Sequence, residues 1–344
     1  MLPSRVLITG ATGAVGPAVV QHLHDQELTV RVLVRNASRA NQLPNDVEVC
    51  VGDLTDPASV RAAVQGVDGI IHLAAFLHIS DPSPAQLQLY YDINVIGTQT
   101  LLDAALLQGV KRFVYFSTTS VYGGNRSEVL SESSTLQLDT PYALSKRQGE
   151  ELVLSACDTS GQPIGAVLRL ASVYGVNLKG NYRRLVQALA SGRFVPLGDG
   201  ANCRTLVFDR DVARAAFLAL CKPVRAGAIY NVTDGQFHTL HDIIAAICEA
   251  LGRSYPPIHV PECVVRTAVT GTRLVAQHSS RSPSWANRLE KYLEHAAIDG
   301  ARIQCELGFR PRVDLATGWR EVVANWTGED DLYNKNGPLA PNVV

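Results

Sequence analysis

Short apolar runs rich in β-branched residues alternate with segments whose apolar residues recur at helical spacing over about the first 175 residues. The apolar runs predict six strands, at residues 5–9, 30–34, 47–51, 69–74, 113–117 and 164–170. The helical segments are residues 15–28, 92–107 and 142 to about 157. This alternation predicts an α/β chain with a doubly wound parallel sheet, whose ligands bind at the carboxyl ends of the strands.

A glycine-rich loop follows the first predicted strand at once, with Gly10, Gly13 and Gly16 at regular spacing. Glycines let the backbone turn tightly and approach the pyrophosphate of a dinucleotide, whose charge is stabilised by the N-terminus of the following helix. The sequence therefore predicts a Rossmann-type dinucleotide-binding unit, with an ordinary strand–turn–helix as the alternative. The cofactor-binding residues predicted in this loop are Gly10, Thr12, Gly13, Ala14, Val15 and Gly16.

The regular alternation ends after Val173, and an irregular stretch with several glycine and arginine residues runs to Arg204. A helix at 209–221 and a strand at 228–232 follow, and a last helix is predicted at 318–326. Three regions are therefore expected, namely a dinucleotide-binding Rossmann domain at 1–175 with returns near 206–233, a smaller interleaved substrate-binding lobe at 176–205 and 234–330, and a flexible tail at 331–344.

Composition narrows the class of protein. The chain has 344 residues, 46% of them hydrophobic, and a net charge of −1 without a block of like charge, which argues against nucleic acid or a membrane surface as a partner. No apolar run reaches the roughly 18 residues that suggest a membrane span, and the first strand leaves no room for a signal peptide. The seven cysteines lack Cys-x-x-Cys spacing, and the histidines form no ligand pattern with them. We expect a cytoplasmic protein without a metal site.

Several motifs stand in a fixed order along the chain. They are TGATGAVG at 9–16, GDL at 52–54, HLAA at 72–75, NVIGT at 94–98, FSTTSVYG at 116–123, PYALSK at 141–146, Arg169 with VYG at 173–175, and LGFRP at 307–311. With these motifs the chain resembles the extended short-chain dehydrogenase/reductase family, the NAD(P)-dependent nucleotide-sugar epimerase, dehydratase and ketoreductase group. The resemblance covers nearly the whole chain and implies an enzyme with a Rossmann-type fold.

The resemblance implies a catalytic group of Thr118, Tyr142 and Lys146. Tyr142 would be the general acid/base, although a free tyrosine has a pKa of about 10. Lys146 follows one helical turn later on the same face, so its charge is expected to lower the pKa of Tyr142, and in the family this lysine also holds the nicotinamide ribose. Thr118 matches the family hydroxyl that binds the reacting oxygen. The alternative for Thr118 is a strand-end hydroxyl bonded to backbone.

Further cofactor contacts are implied by the same resemblance. Asp53, followed by Leu54, matches the residue that holds adenine. Asn94 touches the nicotinamide site or, alternatively, caps or braces its own helix. The backbone that passes the cofactor is matched by Leu73, Ala74 and Ala75.

The end of the second strand bears on the choice between NAD and NADP. An acidic residue about 20 positions after the glycines holds the ribose of NAD in such units. Here Arg35, Asn36 and Arg39 occupy this region, and no Asp or Glu is present there. Because arginine suits a 2′-phosphate, we favour NADP(H), with NAD(H) still open. In the alternative, Arg35 stacks on adenine and Arg39 is a solvated helix charge.

The residues after Thr118 narrow the reaction. The 4,6-dehydratases of this family carry Asp-Glu there, because elimination of water needs an extra acid and base. This chain has Thr119 and Ser120 instead, so dehydration and the related decarboxylation are disfavoured. Epimerisation and 4-ketone reduction remain, because both use the same proton donor. Arg35 slightly favours reduction, while the motif set as a whole is more similar to that of an epimerase.

The substrate side rests on fewer residues. Arg204 matches the family arginine that binds the nucleotide diphosphate, and Asn181 is expected to help. Thr119 and Ser172 are further substrate-binding candidates. Arg183 and Arg184 are further candidates or, alternatively, a solvated helix start. Ser172 stands where many sugar-nucleotide members have Asn, so the identity of the sugar stays open. Reduction of a hydrophobic ketone, as in the steroid and flavonoid branches, and a non-catalytic NADP(H) sensor are the alternatives.

A homodimer is a further expectation, since relatives pair through two long helices, here 92–107 and 142–157. The surplus of apolar residues on the first of these helices fits that arrangement, as at Leu101, Leu102, Leu106 and Leu107. Packing of these residues against the chain's own sheet is the competing explanation.

Overall fold

A computed structural model describes residues 3–79, 82–124, 126–223, 225–265, 267 and 292–326. The tail expected at 331–344 lies outside the described residues. Within those ranges, no helix is both long enough and apolar enough to cross a membrane. The same ranges hold no group of three or more His, Cys, Asp or Glu residues that could bind a metal ion.

The centre of the molecule is a seven-stranded sheet in which every neighbouring pair is parallel. Its strands are β1 (Arg5–Thr9), β2 (Thr29–Val34), β3 (Glu48–Val51), β4 (Gly69–His72), β5 (Arg112–Thr118), β6 (Gly165–Leu170) and β10 (Ile229–Val232). They lie in the order β10-β6-β5-β4-β1-β2-β3. The expected Rossmann-type α/β fold is therefore confirmed. Because β10 pairs with β6 at one edge, the chain does return to this sheet after residue 206.

Helices cover both faces of the sheet. They are α1 (Gly16–Asp25), α2 (Pro57–Val64), α3 (Pro84–Tyr91), α4 (Gly97–Leu107), α5 (Pro141–Ser155), α6 (Gly180–Ala190), α7 (Asp209–Cys221), α8 (Leu240–Ala250), α9 (Ala301–Leu307) and α10 (Leu315–Ala324). Adjacent residues on β1 serve opposite faces, as pleating requires. Ile8 packs in the core with Val20 of α1 and Ala215 of α7, whereas Leu7 packs in the core with Leu101 of α4.

A smaller apolar core lies beside the sheet, built from α6, α8 and α10 and two short strand pairs. β7 (Ser172–Tyr174) pairs with β9 (Leu206–Phe208), and β8 (Cys203–Arg204) pairs with β11 (His238–Thr239). Trp319 of α10 is fully buried there and stacks on Tyr174 with ring centroids 4.7 Å apart. This packing holds the strand ends of the sheet next to the segment that carries Arg204.

The helix predicted at 92–107 is divided into two parts in the structure. Residues Asp92–Ile96 form a π-helical turn that continues α3, and α4 starts only at Gly97. The wider turn buries Asn94, whose carbonyl accepts a hydrogen bond from Thr98 Oγ1 at 2.8 Å. Such a π-turn inserts one extra residue into an otherwise continuous helix. The strand predicted at 69–74 ends at His72, where the chain turns towards the glycine loop.

Candidate active site

The glycine loop turns tightly against the end of β4. Gly10 has a φ of +73°, and Gly13 N donates to Gly10 O at 3.0 Å. A Cβ on Gly10 would lie 2.6 Å from the backbone nitrogen of Ala74, and one on Gly16 would collide with the carbonyl of Ala11. Glycine at these two positions therefore allows the first strand–helix turn to lie directly on the segment after β4.

A cavity of about 270 Å³ opens beside this turn, at the carboxyl ends of β1 and β2. Its lining residues are Thr9, Gly10, Thr12, Leu33, Val34, Arg35, Asn36, Arg39, Gly52, Asp53, Leu54, Ala74 and Ile93. Eight of the predicted cofactor residues are among them. The others do not line it, namely Gly13, Ala14, Val15, Gly16, Leu73, Ala75, Asn94, Tyr142 and Lys146. The position and lining fit the adenosine half of a dinucleotide.

The charged groups of this cavity are Arg35, Arg39 and Asp53. Asp53 Oδ1 accepts hydrogen bonds from the backbone and hydroxyl of Thr55 at 2.9 and 2.8 Å, which fixes its carboxylate. Asn36 uses its Oδ1 to accept from Ser38 N at 2.9 Å, so it caps the short helix that carries Arg39. Arg39 thus lies on a capped turn, and both arginines line the cavity together with one fixed carboxylate.

A buried hydrogen-bond chain lies beneath the loop. Thr98 Oγ1 donates its only hydrogen to Asn94 O, so it accepts from His72 Nε2 at 3.0 Å. His72 Nδ1 then accepts from Thr9 Oγ1 at 2.6 Å. Burial, together with the positive charge of Lys146, lowers the pKa of His72 to about 3, so the ring is neutral. These hydrogen bonds connect β1 to β4 and α4 directly under the site.

Asn94 serves as a brace in this structure. Its Oδ1 accepts from Phe76 N at 2.7 Å, and its Nδ2 donates to Phe76 O at 3.1 Å and to Ser145 Oγ at 2.9 Å. The side chain therefore joins the loop after β4 to α5. The contact with a cofactor stays a prediction, and the bracing role that the sequence also offered accounts for these hydrogen bonds.

The start of α5 positions Tyr142 and Lys146. Thr140 caps the helix, because its Oγ1 accepts from Ala143 N at 3.1 Å, and Pro141 occupies the first turn. Tyr142 therefore lies in the first turn, and Lys146 follows one turn later on the same face. Lys146 is buried, with its Nζ 4.0 Å from the centroid of the Tyr115 ring.

Burial controls the protonation of both groups. It raises the pKa of Tyr142, with Tyr90 acting in the same direction and the Thr118 side chain acting against it as a hydrogen-bond partner. Burial also lowers the pKa of Lys146 to about 7, against the opposing influence of Glu150. The net effect in this structure is a raised pKa of Tyr142, with burial as its largest cause, and the expectation that Lys146 lowers this pKa stays a prediction.

Thr118 lies at the carboxyl end of β5, beside Tyr142. Its Oγ1 accepts from Ser120 N and donates to Ser120 Oγ, both at 3.1 Å, so it caps the short helix Thr119–Tyr122. The hydroxyl is thus bonded to Ser120 and would have to leave Ser120 Oγ to donate to a substrate oxygen, a contact that stays a prediction. Thr119 and Ser120 offer only hydroxyl groups beside it.

The substrate-side residues gather beyond this point. Arg204 Nη1 lies 3.5 Å from Glu294 Oε2, and its Nη2 donates to Tyr292 O at 3.1 Å. Arg204 and Ser172 both act on the buried hydroxyl of Tyr182, Arg204 through its charge and Ser172 as a hydrogen-bond partner. Ser172 and Arg204 are therefore brought together through Tyr182. Two other candidates, Asn181 and Arg184, are exposed near the start of α6, and Arg183 is half-buried.

Three neighbours of the site were not predicted from the sequence. The rings of Tyr90 and His78 lie 6.2 and 6.4 Å from that of Tyr142. Tyr182 lies within the stretch that looked irregular, where its position on α6 was not apparent. A helical pattern at 180–190, had it been recognised, would have put Tyr182 on the face shared with Leu185 and Leu189.

Comparisons with known proteins match this geometry. A family model described as the NAD dependent epimerase/dehydratase family matches residues 6–233. The chain is 30% identical to a dTDP-glucose 4,6-dehydratase of Streptomyces griseus, over 94% of this chain and 94% of that protein. It is 28% identical to a UDP-glucose 4-epimerase of Vibrio cholerae, over 76% of this chain and 80% of that protein.

Solved structures are similar over nearly the whole chain. The structure of MoeE5 in complex with UDP-glucose and NAD superimposes with a TM-score of 0.73 at 26% identity. The alignment covers 95% of this chain and 99% of that one.

Proposed function

This chain belongs to the NAD-dependent epimerase/dehydratase family of enzymes, and we propose that it transfers hydride at a carbinol or ketone carbon of a nucleotide sugar, without dehydration. The observation that carries the proposal is the grouping of Thr118, Tyr142 and Lys146 at the carboxyl end of the sheet. The Thr118 hydroxyl acts on Tyr142 as a hydrogen-bond partner. The cavity of about 270 Å³ at the glycine loop has room for part of a dinucleotide.

The residues support the following division of roles. A bound nicotinamide supplies or accepts the hydride at the sugar carbon. Tyr142 gives a proton to the sugar oxygen in reduction and takes it in oxidation, and its raised pKa keeps that proton on the phenol at neutral pH. Thr118 donates a second hydrogen bond to the same oxygen. Lys146, buried and partly charged, favours the phenolate whenever Tyr142 has lost its proton.

The absence of dehydration is proposed from Thr119 and Ser120. An elimination of water needs a second acid and base near the sugar. Among the described residues, the groups that act on the pKa of Tyr142 are Tyr90 and Thr118, with no carboxylate between them. A 4,6-dehydratase is among the relatives, and the hydroxyl groups of Thr119 and Ser120 support the proposal that this chain does not carry out that elimination. Reduction of a 4-ketone and epimerisation are the two reactions that remain.

We propose NADP(H) as the preferred cofactor, and this favours the reductase. Arg35 and Arg39 both line the cavity at the end of β2, where a 2′-phosphate would lie. The solved relative MoeE5 holds NAD, and an epimerase that retains NAD is the second candidate, favoured by the UDP-glucose 4-epimerase among the relatives.

The proposed substrate is a nucleoside diphosphate sugar, with Arg204 as the diphosphate ligand. MoeE5 holds UDP-glucose, and the relative from Streptomyces griseus acts on a dTDP-sugar. The competing substrate is a hydrophobic ketone. Replacement of Arg204 with Ala separates the two, because it would weaken binding of a diphosphate sugar strongly and that of an apolar ketone little.

A homodimer also stays a proposal. Leu101 and Leu102 are buried against the chain's own sheet, which supports the competing explanation for them. Ile96, Leu107 and Leu144, however, are exposed on the same helices, at 43, 79 and 46%. These three residues support pairing of the helices between two copies. Light scattering of a dilute sample is the test, and a monomer mass rejects the pairing. A cytoplasmic location remains a prediction from the sequence.

The first experiment is to denature the purified protein and identify any released nucleotide by mass spectrometry. An empty protein that binds NADPH more tightly than NADH would support the reductase. Stoichiometric NAD would support the epimerase instead and would contradict the role given to Arg35 and Arg39.

A further inference from the structure

The guanidinium of Arg204 forms an ion pair with the carboxylate of Glu294. Glu294 Oε2 lies 3.5 Å from Nη1 of Arg204, and the two side chains are 26 and 14% exposed. Both side chains are thus partly exposed without being fully solvated. Arginine binds carboxylate and phosphate oxygens through the same N–H groups. Glu294 therefore occupies the position that a phosphate would take at Arg204.

The backbone around Glu294 is fixed, which leaves its side chain as the part that moves. Ala296 N donates to Cys203 O at 3.0 Å, and Asn202 Nδ2 donates to Glu294 O at 3.0 Å. Thr205 Oγ1 donates to Ala296 O at 3.1 Å. The segment therefore runs along β8 and keeps Glu294 beside Arg204 in the absence of other ligands. A change of side-chain rotamer releases the carboxylate at little cost to the backbone.

Glu294 also lies against a second segment of the protein, at Gly124. A side chain at Gly124 would collide with its carboxylate, so this group lies against the loop that follows Thr118 and the short helix after it. His238 lies opposite Arg204 in the pairing of β8 with β11. Asp234 Oδ2 and His238 Nε2 are 2.6 Å apart, so Asp234 already has a partner. Glu294 is the carboxylate that a ligand must displace.

We infer that Glu294 is a specificity-determining residue whose carboxylate competes with the ligand's diphosphate for Arg204. This inference rests on the proposed role of Arg204 in binding a nucleoside diphosphate. A diphosphate brings enough negative charge to replace Glu294, whereas the uncharged nucleoside leaves the ion pair intact. Glu294 then remains in the cleft as a negative charge near the bound sugar, which disfavours sugars that carry their own carboxylate.

The test is calorimetric titration of the full chain with UDP and dTDP, and with uridine and thymidine as the matched ligands without phosphate. The variant is Glu294→Gln, which keeps the size of the side chain and removes its charge. The control is Glu48→Gln, since Glu48 pairs with Arg31 at 2.7 Å at the far edge of the sheet. Thermal unfolding of each variant checks that it is folded.

We expect Glu294→Gln to bind the diphosphate about three- to tenfold more tightly, the range of a partly exposed ion pair. Binding of the nucleosides should stay unchanged, and Glu48→Gln should match the original protein with every ligand. Unchanged or weaker diphosphate binding by Glu294→Gln, in a protein that does bind UDP or dTDP, overturns the inference and leaves the proposed function standing. If neither the original protein nor the variant binds either diphosphate while both bind NADPH, both proposals fail.

Discussion

Glu150 and Arg169 form a buried bidentate ion pair. Arg169 Nε donates to Glu150 Oε1 at 2.8 Å, and Arg169 Nη2 donates to Glu150 Oε2 at 2.7 Å. Ser117 Oγ adds a third hydrogen bond to Oε1 at 2.6 Å. The pair therefore fastens α5, which carries Tyr142 and Lys146, to β5 and β6 of the sheet.

Replacement of Glu150 with Gln should destabilise the protein by about 3–5 kcal/mol, because it leaves the Arg169 charge buried without its partner. Urea unfolding measures the change. The double replacement Glu150→Met with Arg169→Met should recover much of the loss, since no buried charge remains. If the single variant unfolds at the same urea concentration as the original protein, the pair does not fasten α5.

The lowered pKa of Lys146 predicts a pH dependence. With a pKa of about 7, Lys146 loses its positive charge as the pH rises through neutrality. If that charge is needed, kcat/KM, which reports ionisations of the free enzyme, should fall above about pH 7. The profile from mildly acidic to alkaline pH is the measurement. Lys146→Arg keeps the charge throughout this range, so any activity it retains should lack the fall, and a fall of equal size in this variant assigns it to another group.

Arg35 and Arg39 are expected to select NADPH. Removal of either arginine by replacement with Ala should weaken NADPH binding about 10- to 100-fold, the value of a charge-assisted hydrogen bond to phosphate, and should leave NADH binding nearly unchanged. Fluorescence titration with both cofactors gives the two affinities. Arg61→Ala, an exposed arginine of α2 away from the cavity, is the matched control. Equal losses for NADPH and NADH would assign the arginines to adenine instead.

Asp209 predicts a dependence of stability on pH. This carboxyl begins α7, is only 4% exposed, and has its pKa raised from 3.8 to about 6, mainly by burial. The folded state therefore binds the proton more tightly than the unfolded state, and stability falls as the pH rises between these two values. The loss attributable to Asp209 should be on the order of 2–3 kcal/mol.

Urea unfolding between pH 4 and 8 tests this, with Asp209→Asn as the variant that removes the titration. The stability advantage of the variant over the original protein should grow as the pH rises towards 6 and then level off. Asp103→Asn, on the exposed side of α4, is the control. A constant difference between the original protein and Asp209→Asn would contradict the raised pKa.

The sequence predicts the sheet better than the lobe, for physical reasons. Buried strands are continuous apolar runs in the sequence, and β1 has the predicted bounds. The helix α7 also has the predicted bounds. In the lobe, α6 was not predicted and no bounds were given for α8, although the Thr239–Asp242 capping box of α8 is a local signal for a helix start. Glu294 could not be predicted, because its partner Arg204 lies 90 residues away and no local pattern links them.

The same contrast applies to the site. The order of motifs predicts Tyr142, Lys146 and Thr118, because helical spacing and a strand end fix where they lie. It does not predict the protonation of Tyr142, which depends on burial and on the electrostatic effect of Tyr90. Local sequence predicts Tyr142 as the acid/base group, whereas the pKa of Tyr142 depends on tertiary packing.

The most direct test of the central claim is the mass of the product. The protein is incubated with UDP- and dTDP-hexoses and their 4-keto derivatives, with NADP(H) and NAD(H), and the products are separated from the substrates by chromatography and identified by mass spectrometry. The account predicts products of unchanged mass or products that differ by two hydrogens, and neither kind with Tyr142→Phe. A product that has lost one molecule of water would contradict the account, because neither Thr119 nor Ser120 supplies an acid or base for that step.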